Sequence, residues 1–154
     1  MEDKLENKKV LTVVRAIIID QTGKILVTQN PDHKKHDAGL WCFPGGKVDH
    51  PETEVEAVVR EILGEAGIVI QPTGFLMPTV NNKPAQQNLS AIITLYMVGE
   101  KIADSMADDG HDDKPDALLW LSPQKLIQLP LTTSARQVAC QIIKIKNLVD
   151  LLKI

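Results

Sequence analysis

A layered domain, α+β or α/β/α with a mixed sheet, is predicted by three features of the sequence. Strand-like segments dominate, two helical segments are substantial, and the two kinds alternate irregularly. The 154 residues make one domain, spanning 1–154, at roughly 100–200 residues per domain. A chain of this length buries about two-thirds of its unfolded surface, so a core forms without disulfide or metal staples.

The elements follow in order. Residues 10–20 are β-branched and apolar and predict a strand. Gln21, Thr22, Gly23 and Lys24 supply turn chemistry, and residues 25–29 form a second strand. Residues 30–39 are polar and predict a loop. Trp41, Cys42 and Phe43 read as a short strand, ended by Pro44, Gly45 and Gly46. Thr53 and Glu56 make a capping box, so a helix starts there. Ala57, Val58, Ile62 and Ala66 carry its apolar period, and Gly67 suits its stop. Residues 68–75 read as a strand broken at Pro72, 78–87 as a turn-rich loop, and 89–98 as a strong strand. A short strand over 117–121 leads to a helix with Pro123 in its first turn, ending at Leu129. Residues 134–152 carry helical spacing at Val138, Ile142, Ile145, Val149 and Leu152.

Composition narrows the function. With 44% apolar and 24% charged residues, the chain is neither disordered nor collagen-like. Two cysteines, Cys42 and Cys140, exclude a disulfide framework and suit reduced thiols in the cytoplasm. No apolar run reaches the ~18–20 residues of a membrane span. The charged run from Met1 to Lys9 contains no apolar core of a secretory signal. A net charge of −3 argues against nucleic acid as partner, and five aromatic residues are few for a single-strand stacking platform. A small molecule is the expected partner; a homodimer stays open. Seven acids between Glu100 and Asp116 predict either a solvated loop or a cation-attracting rim beside a site.

The chemistry is expected between Gly45 and Ile68. Asp49, Glu52, Glu54, Glu56, Glu61 and Glu65 face only Lys47 and Arg60. Glu61 and Glu65 lie four apart, on one helix face, where like charges repel. Gly64 inside the helix costs about 1 kcal/mol against Ala. Violations of local rules concentrate at functional sites. A divalent cation resolves the repulsion, because carboxylate oxygens suit Mg²⁺ or Mn²⁺.

Gly46, Glu52, Arg60, Glu61, Ile62, Glu65, Gly67 and Ile68 stand at the spacing of the Nudix box, preceded by Phe43, Pro44, Gly45. The segment resembles that of MutT-like Nudix hydrolases. Six chance matches at these spacings have odds on the order of 1 in 100,000. One position departs: Gly64 stands where the pattern carries the first Glu of a Glu-Glu pair. The resemblance implies an α/β/α sandwich with a mixed sheet and a loop–helix–loop active site. It implies hydrolysis of a nucleoside diphosphate linked to another group, with Mg²⁺ or Mn²⁺ as cofactor. A nucleoside triphosphate is the favoured substrate. The alternatives are ADP-ribose or another nucleotide sugar, or a catalytically weak nucleotide sensor.

The resemblance also implies roles. Glu61 and Glu65 are the expected metal ligands, with the Gly45 carbonyl as a further one. Glu52 either approaches the same site or pairs with Arg60, and Arg60 is read as a loop anchor ahead of a phosphate contact. Asp113 is the choice for a general base or additional ligand on the later acidic loop. Asp49 and Lys47 are read as loop surface. Lys34 and Lys35 suit phosphates, although a solvated loop explains them equally. Trp41, Phe75 and Trp120 are of a kind that stacks on a base, but stand where core residues are also expected.

Overall fold

The computed structural model describes residues 9–105, 117–145 and 151–152. Within them run β1 (Lys9–Ile19), β2 (Ile25–Gln29), β3 (Trp41–Cys42), β4 (Gly45–Lys47), α1 (Glu54–Ala66), β5 (Ile68–Asn81), β6 (Leu89–Asp104), β7 (Ala117–Leu121), α2 (Pro123–Leu126) and α3 (Thr133–Ile142). One sheet has the order β3-β2-β1-β6-β5, with β4 beside β1 and β7 beside β2. The β1–β6 pair is parallel and the other pairs are antiparallel, so the sheet is mixed, as expected.

β1 is apolar along its length because both of its faces are covered. Ile17 and Ile19 pack with Ala135, Val138 and Ile142 of α3. Val14, Ala16 and Ile18 point the other way and pack with Ala57, Val58 and Ile62 of α1. The sheet is therefore a middle layer, with α1 on one side and α2 and α3 on the other.

α1 begins and ends as its sequence dictates. Thr53 Oγ accepts from the Glu56 N–H, and Glu56 Oε2 accepts from the Thr53 N–H. Gly67 closes the helix in the left-handed conformation (φ 65°), its N–H donating to the Leu63 carbonyl.

Several expectations need correction. Residues 78–81 are not loop, and Pro72 does not end a strand: β5 runs unbroken to Asn81. It lies at the sheet edge, where a proline costs no ladder hydrogen bond, and register shifts near Pro72 and Phe75 absorb the misfit. Gly45 and Gly46 do not merely end a strand; they form β4 against Arg15 and Val14. Of the acidic stretch, Glu100 to Asp104 continues β6. Asp113 lies outside the described residues. The last helix, expected over 134–152, runs from Thr133 to Ile142, and residues 143–144 form a turn.

Candidate active site

The site is built where β4 passes the acidic face of α1. Pairing of Gly45 with Arg15 and of Gly46 with Val14 draws this short strand onto β1. The approach is so close that a Cβ on Gly45 would lie 2.0 Å from the Val14 carbonyl oxygen. The Gly45 N–H donates to Glu65 Oε2 at 3.1 Å. A Cβ on Gly46 would lie 2.4 Å from the carboxyl carbon of Glu61. The two glycines thus form a cradle against two carboxylates one helical turn apart. Burial pushes the Glu65 carboxyl up to about 7, against the Arg15 charge and the Gly45 N–H, which pull it down.

Arg60 ties the loop before α1 to this face. Its Nε donates to Glu52 Oε2 at 3.0 Å and its Nη2 to Glu52 Oε1 at 2.6 Å, a two-pronged ion pair. Nη2 also donates to the Lys47 carbonyl at 3.1 Å and lies 3.3 Å from Asp49 Oδ2. Nη1 donates to Glu61 Oε1 at 2.9 Å. Glu52 Oε1 accepts from the Asp49 N–H at 2.8 Å as well. Glu52 therefore turns to Arg60; Asp49 and Lys47 are exposed, as expected of loop surface, Asp49 adding a surface ion pair to the anchor and Lys47 only its backbone carbonyl.

These contacts have a pH signature. Hydrogen bonds from Arg60 and the Asp49 N–H lower Glu52 from the ordinary 4.5 to about 2. A depressed carboxyl stabilises the fold fully above its unfolded value and loses that contribution as pH falls through its folded value. Thermal unfolding from pH 5 to pH 2 is expected to show a steeper loss for the wild type than for Glu52→Gln, mostly between about 4.5 and about 2. Parallel curves would mean that Glu52 does not titrate against Arg60.

No group of three or more His, Cys, Asp and Glu is gathered for a metal among the described residues. The residues expected to hold a metal, Glu61, Glu65 and the Gly45 carbonyl, would offer only oxygen. Such a set fits a hard cation such as Mg²⁺, which takes one or two carboxylates and completes its shell with water and phosphate. The Glu61 carboxylate, buried over Gly46 and paired with Arg60, and the desolvated Glu65 beside it are the negative groups that such an ion would compensate.

β4 also forms the rim of a cavity of about 560 Å³. Leu11, Val13 and Arg15 of β1 and Thr94 of β6 contribute from the sheet, Lys34 and Lys35 come from the preceding loop, and Thr132 to Ser134 come from the start of α3. Lys34 and Lys35 thus line the cavity. Trp41 does not, contrary to expectation: it is 9% exposed and packs in the α3-side core. Trp120 packs on the α1 side, and Phe75 is exposed on the edge strand. Arg15 was not anticipated, yet a lone charge amid Val13, Val14, Ala16 and Ile17 is itself a signal.

The family description "NUDIX domain" matches residues 9–142. The CTP pyrophosphohydrolase of Escherichia coli (strain K12) is 36% identical over 126 residues, covering 80% of this chain and 84% of that protein. The 8-oxo-dGTP diphosphatase of Proteus vulgaris is 33% identical over 78 residues, 51% of this chain and 69% of that protein. The E. coli ORF135 protein superposes with a TM-score of 0.71 at 28% identity, covering 88% of this chain and 90% of that one. The MutT protein of Methanosarcina mazei Go1 superposes at 0.73 with 23% identity, over 90% and 96%, a likeness of fold. The chain belongs to the Nudix family and is a hydrolase acting on phosphoanhydride bonds.

Proposed function

We propose that the chain hydrolyses a nucleoside triphosphate to a nucleoside monophosphate and pyrophosphate, with Mg²⁺ or Mn²⁺ held by Glu61, Glu65 and the Gly45 carbonyl. The carrying observation is the pair of carboxylates one turn apart under two glycines at the rim of the cavity. An ion held there would offset phosphate charge and acidify water. The chain's own residues do the rest. Arg60 holds Glu61 in place and ties the loop to α1 through Glu52. Lys34 and Lys35 supply positive charge for the phosphates at the cavity wall. Water attacks phosphorus as the bond to the bridging oxygen breaks, and its proton passes to a carboxylate, for which Asp113 is the candidate. Gly64, buried within α1, adds no ligand of its own.

The names of the relatives support a small nucleotide as the partner. The net charge of −3 supports the absence of nucleic acid, and two cysteines with no disulfide among the described residues suit the cytoplasm. No described helix is long and apolar enough to cross a membrane.

Release of pyrophosphate and monophosphate should be followed across nucleoside triphosphates, ADP-ribose and nucleotide sugars. Triphosphates are expected to turn over with Mg²⁺ and to stop with a chelator. Turnover that survives chelation would overturn the metal role, and activity confined to ADP-ribose or nucleotide sugars would overturn the substrate class.

A further inference from the structure

Arg15 carries a charge that favours the ionised form of Glu65, but the proposed hydrolytic role gives its guanidinium no contact with substrate. It interrupts a buried run in β1: Val13, Val14, Ala16, Ile17 and Ile18 are all buried. A guanidinium stays charged at any working pH, and the middle of a sheet is a costly place for it. Nη1 is anchored, donating to the Phe43 carbonyl at 2.7 Å and to Cys42 Sγ at 3.5 Å. Nε and Nη2 make no hydrogen bond to any described residue, and Arg15 lines the cavity. The stem is fixed by Gly45, across from it in β4, where a Cβ would lie 2.9 Å from Arg15 Cγ. One edge of a rigid fork is therefore left at the cavity with no hydrogen-bond partner among the described residues.

The alternation of β1 decides which part of a nucleotide meets that fork. Leu11, Val13 and Arg15 share the face that lines the cavity, whereas Val14, Ala16 and Ile18 face α1 and its acids. Phosphates must pass the β4 edge to reach Glu61 and Glu65. The nucleoside end stays over the opposite face, with Arg15.

We propose that Arg15 reads the nucleobase, its Nε–H and Nη2–H forming a donor pair for a carbonyl oxygen beside an unprotonated ring nitrogen. Guanine offers O6 with N7, and cytosine offers O2 with N3. Adenine sets an amino group beside N7 and N1, and uracil sets N3–H between its carbonyls, so each turns a donor toward one prong. The substrate class becomes guanine and cytosine triphosphates ahead of adenine and uracil ones. This rests on the triphosphate reading above.

The test measures kcat/KM for GTP, CTP, ATP and UTP in the wild type, Arg15→Lys and Arg15→Gln. Calorimetric binding of the four monophosphates is measured alongside. The wild type is expected to favour guanine and cytosine by about tenfold or more. Both variants should lose that ratio, since lysine keeps the charge but not the fork. No preference in the wild type would overturn the proposal, even where a variant fails to fold. A preference retained in Arg15→Gln would overturn it, as would an equal loss on all four bases, the mark of a phosphate contact. Monophosphate binding separates the two readings: base preference without triphosphate turnover leaves the role of Arg15 standing and removes the hydrolytic reading.

Discussion

Glu65→Gln is expected to lower turnover by about two to three orders of magnitude while the protein stays folded. An ion offsetting phosphate charge contributes several kcal/mol to the transition state, and each 1.4 kcal/mol is about tenfold in rate. Glutamine keeps the shape and an oxygen to accept the Gly45 N–H, which Glu65 Oε2 now accepts at 3.1 Å. It gives up the charge that a metal would need. Burial already holds the Glu65 carboxyl at about 7, so its ionised form is costly in the metal-free fold near neutral pH. The metal-free variant should accordingly unfold at a higher temperature than the metal-free wild type at pH 8. Saturating Mg²⁺ should stabilise the wild type and leave the variant almost unmoved. A variant that keeps its rate within about tenfold, or gains equal stability from Mg²⁺, would remove Glu65 from the ligand set.

The parts of the fold legible in the sequence are those fixed by local contacts. Thr53, Glu56 and Gly67 set the ends of α1 because cap hydrogen bonds span three or four residues. The turn before β2 is likewise local: Asp20 Oδ1 accepts from the N–H groups of Thr22 and Lys24. The length of β5 is a different matter. Pro72 and Pro78 argue against a strand wherever both edges are paired, and only the tertiary order shows that β5 is the edge strand among the described residues. β4 was equally out of reach, since three residues with two glycines have no strand propensity and their pairing with β1 spans thirty residues of chain.

The site divides along the same line. Helical periodicity alone places Glu61 and Glu65 on one face. That Asp49 joins Arg60 depends on how the loop folds back over α1, which periodicity does not encode. Trp41 carries no sign of its side: an aromatic residue after a glycine-containing loop serves a pocket or a core equally well, and packing around α3 decides it.

Two single-methyl substitutions should separate the fold from the chemistry. In Gly45→Ala the new Cβ would lie 2.0 Å from the Val14 carbonyl oxygen and 2.7 Å from Arg15 Cα. Both atoms belong to the backbone of the central strand and have nowhere to go. β4 must leave β1, at a cost of about 3 kcal/mol or more, or about 6–12 °C in Tm for a domain of this size. In Gly46→Ala the Cβ would meet the Glu61 carboxyl carbon at 2.4 Å and its oxygens at 2.5 and 2.7 Å. That is the far end of a side chain, which can swing aside by breaking its 2.9 Å hydrogen bond from Arg60. The stability loss should be at most about 1.5–3 kcal/mol, the worth of a hydrogen bond to a charged group. The rate should fall on the order of a hundredfold, because a catalytic group displaced by about 1 Å no longer meets its partner. Thermal unfolding and steady-state rates on the two variants read both effects. Full activity in Gly46→Ala would mean that Glu61 does not act from its place beside that glycine. Equal destabilisation of the two variants would mean that the Glu61 carboxylate is as rigidly held as the β1 backbone.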